Sequence, residues 1–107
     1  MDVDREAEII TSVQNGDRAA FELLVRRFQT LLFRVVGNLV GSLQAEDIVQ
    51  EVFMAAYANL HRFDPCKGSL RTWLLAIARN KAFNATRKKR ERTGNDLPQL
   101  KDERQLF

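Results

Sequence analysis

The apolar residues of the chain recur every three or four positions, and no segment of four or more residues alternates between apolar and polar side chains as a half-buried strand would. Both prolines, Pro65 and Pro98, lie where this periodicity breaks. The pattern therefore predicts an all-α fold, a compact bundle of about four helices with a loop between the third and the fourth.

The first two helices are separated by a glycine turn. The first is predicted from about Asp4 to Val13, and Asn15-Gly16 ends it. Asp17 then caps a long second helix that reaches a turn at Gly41-Ser42. The apolar positions of these two helices are Ala7, Ile9, Ile10, Val13, Phe21, Leu24, Val25, Phe28, Leu31, Leu32, Val35, Val36 and Leu39.

The third helix is predicted to start near Ser42 or Gln44. Its apolar face consists of Ile48, Val49, Val52, Phe53, Ala56, Tyr57 and Leu60. The opposite face carries what we call the acidic strip, Asp47, Gln50, Glu51 and Met54, spaced i, i+3, i+4 and i+7 with no basic residue among them. Such a strip suits a basic partner, and a solvated helix face is the alternative.

A loop, Phe63 to Gly68, precedes the fourth helix, which Ser69 is expected to cap. This helix buries Leu70, Trp73, Leu74, Ile77, Ala78 and Ala82. After about Thr93 the sequence loses its periodicity and becomes polar. We therefore expect one helical domain over residues 1–93 and a linker over residues 94–107.

Composition narrows the class of protein. The 107 residues are 45% hydrophobic and 29% charged, which fits one globular domain. No apolar stretch approaches the ~20 residues of a membrane span, and the acidic amino terminus does not resemble a signal peptide, so we expect a cytoplasmic protein without membrane insertion. A lone Cys66 and a lone His61 cannot form a disulfide or a Cys/His metal site within one chain, and we predict no cofactor.

The charge is distributed unevenly. The net charge is +3, yet residues 69–93 hold eight basic residues against one acidic residue, or +7, which leaves −4 for the rest. A basic end on an acidic body indicates a polyanionic partner, with nucleic acid first and an anionic membrane surface second. A solvated helix end is the other interpretation.

Catalytic constellations are missing from the sequence, whereas groups that suit unstacked nucleic acid cluster around the loop. We find no nucleophile with a base and no phosphate-binding glycine loop, so we predict no enzyme. A flipped base needs stacking, edge hydrogen bonds and phosphate contacts. The residues that offer these are Phe63, Trp73, Ser69, Thr72, Asn80, Lys67, Arg71, Arg79 and Lys81. Trp73 is in phase with the buried positions, so we expect it to orient the loop more than to contact a base.

Three segments, in order and with matching spacing, closely resemble conserved region 2 of bacterial sigma factors of the extracytoplasmic-function (ECF) group. They are Gly16-Asp17-Arg18-Ala19-Ala20-Phe21, residues 45–57 with the core Asp47-Ile48-Val49-Gln50-Glu51-Val52-Phe53, and residues 63–80 with Ser69-Leu70-Arg71-Thr72-Trp73-Leu74 and Ile77-Ala78-Arg79-Asn80. The resemblance covers about residues 5–92. It implies a domain that binds core RNA polymerase and recognises and helps melt the promoter −10 element.

The resemblance also implies roles for individual residues. Asp47, Gln50 and Glu51 match contacts to the beta-prime clamp helices of the polymerase, and Met54 completes that strip. Residues 63–69 match the specificity loop that captures a flipped non-template base, and Asn80 matches a contact to that base. The resulting DNA-binding set is Phe63, Lys67, Gly68, Ser69, Arg71, Thr72, Trp73, Arg79, Asn80, Lys81, Arg87 and Lys88. The loop residues Asp64-Pro65-Cys66-Lys67 depart from the small polar loop that is usual in the family.

Members of this family carry a second helical domain, region 4, which does not follow in this sequence. We therefore expect an excised domain of a longer protein, with weak binding because it lacks the second module, and the group implies a cognate anti-sigma factor as a further partner. An alternative of another class is a helical interaction module whose basic helix binds anionic lipid or an acidic protein. That alternative predicts no base preference.

Overall fold

A computed structural model describes the backbone of residues 3–93 and the side chains of residues 5–89. Over this range the chain forms four helices and no strand: α1 (Val3–Gln14), α2 (Arg18–Val40), α3 (Ser42–Asn59) and α4 (Leu70–Thr93). Two short 3₁₀ turns, Leu60–Arg62 and Pro65–Lys67, lie between α3 and α4. The all-α expectation is confirmed, and the linker predicted over residues 94–107 lies outside the described residues.

The turn between α1 and α2 is fixed by backbone hydrogen bonds at both helix ends. The Gly16 N–H donates to the Val13 carbonyl at 2.9 Å, and the Asp17 N–H donates to the Ser12 carbonyl at 2.9 Å. This pair of bonds is the Schellman motif, which places Gly16 at φ +103°, where a residue without Cβ is favoured. Asp17 caps α2 as predicted, because its Oδ1 accepts from the Ala20 N–H at 3.2 Å.

The core is built around α2, which contacts the other three helices. Its fully buried residues recur every fourth position: Ala20, Leu24, Phe28, Leu32 and Val36. This stripe is narrower than the sequence predicted, because Phe21, Val25, Leu31, Val35 and Leu39 are only partly buried. An ion pair also ties α1 to α2, with Glu6 Oε1 3.2 Å from Arg27 Nε.

The predicted interior of α3 is wrong at one position. Tyr57 is 38% exposed instead of buried, and Phe53 is half-buried. Both rings pack edge-on against Phe21 of α2, with centroids 5.1 Å away for Tyr57 and 6.3 Å away for Phe53. The three rings therefore form an aromatic cluster at the surface, with Tyr57 at the rim of the α2–α3 contact and not at its centre. Ala7 of α1, also predicted as an apolar position, is exposed.

The fourth helix follows its predicted pattern more closely. Leu70, Leu74, Ala78 and Ala82 are buried at intervals of four, while Trp73 and Ile77 are half-buried beside them. The two small alanines let α4 lie close to α2 and α3, which it both contacts. Among the described helices, none is both long enough and apolar enough to cross a membrane.

Candidate nucleic-acid interface

The segment from Phe63 to Ser69, which we call the 63–69 loop, has a defined shape because its own side chains cap its turns. Asp64 Oδ1 accepts from the Cys66 N–H at 2.9 Å, and the Asp64 carbonyl accepts from the Lys67 N–H at 3.0 Å. Pro65 starts the 3₁₀ turn, where its fixed φ is an advantage. Gly68 follows at φ +154°, again in the region that favours glycine.

Ser69 joins the loop to α4 and caps the helix as predicted. The Thr72 N–H donates to Ser69 Oγ at 3.1 Å, and Ser69 Oγ–H donates to Thr72 Oγ1 at 3.0 Å. Both residues are exposed. Two hydroxyl groups are thus held next to each other at the amino-terminal end of α4, where a ligand can reach them.

Phe63 and Trp73 form a ring pair beneath the loop. Their centroids are 5.4 Å apart with 54° between the ring planes. Phe63 is only 8% exposed and belongs to the core cluster, while Trp73 is half-buried. Trp73 thus has part of its ring in the core, as expected from its phase, and Phe63 supports it from the inside.

A cavity of about 340 Å³ opens between the loop and the first turns of α4, and we call it the loop cavity. Its size lies at the lower end of the roughly 300–1,000 Å³ that small-molecule sites occupy. Six residues of the predicted DNA-binding set line it: Phe63, Lys67, Gly68, Ser69, Thr72 and Trp73. The structure thus brings half of the predicted set to one concave site.

Three further residues line the loop cavity that sequence reasoning did not assign, namely Arg62, Asp64 and Ala76. Ala76 could have been predicted from the helical periodicity, since it is four residues after Thr72 and shares its helix face. Arg62 gives no such signal, because it lies in the 3₁₀ turn Leu60–Arg62 and not on a long helix with a repeating face.

The other predicted DNA-binding residues lie on α4 but do not line the loop cavity. Asn80 is exposed one turn beyond Ala76, about 6 Å further along the helix axis. Arg71, Arg87 and Lys88 are exposed, whereas Arg79 and Lys81 are half-buried. Arg71 lies in the first turn of α4, and the other groups extend the surface along the helix, away from the loop.

The acidic strip is exposed at all four positions, with Met54 71% exposed. It is not remote from positive charge, however. A groove of about 480 Å³, the α3–α4 groove, is lined by Asp47 and Glu51 of α3 and by Lys88 and Lys89 of α4. The absence of basic residues therefore holds along α3 but not across the fold, because α4 brings two lysines from about 40 positions further along the chain.

Comparison with known proteins assigns this helical domain to a family. The family described as Sigma-70 region 2 matches residues 24–92. The chain therefore belongs to the Sigma-70 region 2 family. Within residues 5–89, no three His, Cys, Asp or Glu side chains are grouped so that they could hold a metal ion.

Curated relatives with similar sequences are sigma factors named as ECF. The ECF RNA polymerase sigma factor SigW of Bacillus subtilis is 35% identical over 82 residues, which cover 76% of this chain and 43% of SigW. The ECF RNA polymerase sigma-E factor of Escherichia coli K12 is 41% identical over 76 residues, covering 71% of this chain and 39% of that protein. The chain thus spans about two fifths of the length of these relatives.

A solved structure is also similar. It is an NMR structure of the complex formed by an engineered region 2 of sigmaE with GTAAAA. The TM-score is 0.70 with 39% sequence identity, over 78% of this chain and 87% of that one. The likeness therefore extends to the sequence as well as to the fold.

Proposed function

We propose that this chain is the domain of an ECF sigma factor that binds core RNA polymerase and recognises and helps to melt the promoter −10 element. The observation that carries the proposal is the loop cavity, since six residues assigned to DNA from the sequence line one concave surface. The protein acts where RNA polymerase acts, in the cytoplasm.

In the proposed mechanism the loop cavity receives one base of the non-template strand. Extrusion of a base costs a few kcal/mol in lost stacking and pairing. The exposed part of the Trp73 ring offers a stacking surface, and the Ser69 and Thr72 hydroxyls offer donors and acceptors to a base edge. Lys67 supplies a cation beside them. Capture of the base in this cavity favours the open strand over the duplex.

Asn80 and the basic residues of α4 complete the proposed DNA surface. Asn80 supplies an amide that can both donate to and accept from a base. Contacts to phosphates come from Arg71, Arg79, Lys81, Arg87 and Lys88, and they position the strand without reading its sequence. Phe63 contributes from below, by holding Trp73 in place.

The acidic strip is the proposed polymerase-binding face, with the basic beta-prime clamp helices as its partner. Its four side chains are exposed, and two of them are carboxylates. Lys88 and Lys89 lie across the α3–α4 groove from Asp47 and Glu51, so the field of the strip is partly compensated before the partner binds. An anti-sigma factor is the proposed competitor for these surfaces.

The test is fluorescence anisotropy with labelled single-stranded hexamers. A randomised panel that includes GTAAAA, the hexamer in the structure of the similar region 2, is measured as single strands and as duplexes at two salt concentrations. We expect a preference for one short single-stranded sequence. Binding that ignores sequence and disappears with salt would contradict base capture.

A vesicle experiment separates this proposal from the lipid-binding alternative. Sedimentation with vesicles of an anionic phospholipid, with neutral phosphatidylcholine vesicles as the control, measures whether the basic helix binds membranes. Strong binding to the anionic vesicles together with indifference to DNA sequence would favour the interaction module. For the sigma domain we expect preferential binding to DNA.

A further inference from the structure

A hydrogen bond from α1 reaches the entrance of the 63–69 loop. Gln14, the last residue of α1, donates from Nε2 to the Leu60 carbonyl at 2.9 Å and makes a longer contact of 3.5 Å to the Phe63 carbonyl. Because both neighbours are carbonyl oxygens, only the NH₂ side of the amide can face them, and its two N–H groups match two acceptors. The contact joins residues 46 positions apart.

The partner side of this hydrogen bond is already part of a turn. The Leu60 carbonyl also accepts from the Phe63 N–H at 3.0 Å, so Gln14 occupies its second lone pair. Phe63 in turn packs against Trp73. Gln14 therefore acts on the segment that positions the floor of the loop cavity.

The 63–69 loop has empty space on both of its sides. A second cavity of about 380 Å³ separates the loop from α1, with Ala7, Ile10 and Gln14 on its α1 side. Phe63, Gly68 and Ser69 line this cavity and the loop cavity alike. The loop is thus a thin partition, and its position depends on the groups that hold its two ends.

Those two ends are held differently. Ser69 holds the exit through its own cap on α4. Gln14 holds the entrance from another helix, α1, which ends at the Gly16 turn and is joined to α2 by the Glu6–Arg27 ion pair. A binding site needs its contacting groups held to within about 0.5 Å, so a change at the entrance alters the shape of the loop cavity.

We propose that Gln14 is a positioning residue for base recognition, which makes α1 part of the specificity apparatus. Gln14 touches no DNA in this proposal and acts through Leu60 and Phe63. The proposal rests on the proposed function. It also goes beyond the family match, which begins at residue 24 and leaves α1 outside.

The experiment compares three variants of the 107-residue chain. Gln14→Glu keeps the shape of the side chain but replaces the donor with an acceptor facing two carbonyls. Gln14→Lys keeps N–H donors. Gln29→Glu is the matched control, with the same change of charge at an exposed position of α2.

The readout is the ratio of affinities for the best-bound hexamer of the randomised panel and for its single-base variants. In this ratio the effect of a change in net charge cancels, because such a change alters the affinity for all sequences alike. One base contact supplies about 5- to 150-fold, and we expect Gln14→Glu to reduce the ratio at one base by about threefold or more. Gln14→Lys and Gln29→Glu should keep the wild-type ratio.

Each outcome has a definite meaning. If the wild-type chain prefers one sequence and Gln14→Glu keeps the same ratio, or weakens all hexamers equally, the positioning role is wrong and the proposed function stands. If the wild-type chain shows no preference, base recognition itself fails, and this inference fails with it. If Gln14→Glu does not fold, Gln14→Ala replaces it. We expect Gln14→Ala to fold, because the Leu60 carbonyl keeps its hydrogen bond from the Phe63 N–H. The expected reduction of the ratio is the same.

Discussion

The ring of Trp73 packs on that of Phe63, with centroids 5.4 Å apart, and Trp73 is the only tryptophan of the chain. Trp73 lines the loop cavity and Phe63 belongs to the core, so this aromatic pair joins the cavity to the core. Since indole emission responds to its surroundings, this pair provides a reporter at the proposed base-binding surface. A base that stacks on Trp73 should quench its fluorescence.

Replacement of Phe63 by Leu tests this pair. Leucine keeps most of the buried apolar volume, so we expect a loss of about 1 kcal/mol in unfolding free energy, measured by urea denaturation. The indole loses its packing surface, so its emission should shift and base preference should fall more than total DNA binding. Leu31→Met, an exchange of apolar side chains of nearly equal volume at a half-buried position of α2, is the control. Unchanged base preference in Phe63→Leu would mean that Phe63 serves stability alone.

Asn80→Ala should relax discrimination at one base. The substitution removes the amide of an exposed side chain from helix α4, where alanine is well tolerated. We expect a loss of about 1–3 kcal/mol between the preferred and the substituted base. Anisotropy with the single-base variants of the best hexamer measures it. A uniform loss of affinity across all sequences would mean that Asn80 contacts the DNA backbone and not a base.

Lys88→Ala should weaken binding to all sequences alike. The slope of log K against log salt is negative, and loss of one phosphate contact makes it less steep by about 0.7 for single strands. Arg34→Ala, an exposed cation on α2 outside the predicted DNA-binding set, should leave the slope unchanged. An unaltered slope in Lys88→Ala would contradict the phosphate contact and would point to a role of Lys88 in the α3–α4 groove alone.

Local signals made most of the fold predictable, whereas the contacts between distant segments were not. Asp17 and Ser69 were identifiable as caps because a cap lies within three residues of the N–H it accepts from. The hydrogen bond from Gln14 to Leu60 and the proximity of Lys88 to Asp47 depend on how helices pack. Neither leaves a trace in the spacing of residues. The prediction that Tyr57 is buried was wrong for a related reason, since helical phase does not distinguish the rim of a helix contact from its centre.

Charge reversal at Asp47 should impair binding to core RNA polymerase without unfolding the domain. Asp47 is exposed on α3, so Asp47→Lys should leave the far-ultraviolet circular dichroism unchanged. The new lysine faces a basic partner and also lies near Lys88 and Lys89, so repulsion replaces attraction. Co-purification with core polymerase measures the loss.

Glu8→Lys is the matched control for that substitution. Glu8 is exposed on α1, outside the acidic strip of α3. It carries the same change of charge, and we expect it to retain polymerase binding. Equal losses in the two variants would show that net charge, and not the acidic strip, governs the association.

The same substitution at two glycines should have opposite effects on stability. At Gly16 the backbone has φ +103°, and a Cβ would meet no atom within 4 Å, so Gly16→Ala is opposed by backbone conformation alone. We expect a loss of about 1–2 kcal/mol in unfolding free energy.

Gly37 lies inside α2, and a Cβ there also meets nothing within 4 Å. Gly37→Ala should therefore gain about 0.5–1 kcal/mol, because alanine restricts the unfolded chain and favours the helix. Urea denaturation of both variants measures the two changes. Because neither position offers a steric clash, a loss at Gly37 would mean that α2 bends there in a way that requires glycine, and no loss at Gly16 would mean that the α1–α2 turn adopts another conformation in solution.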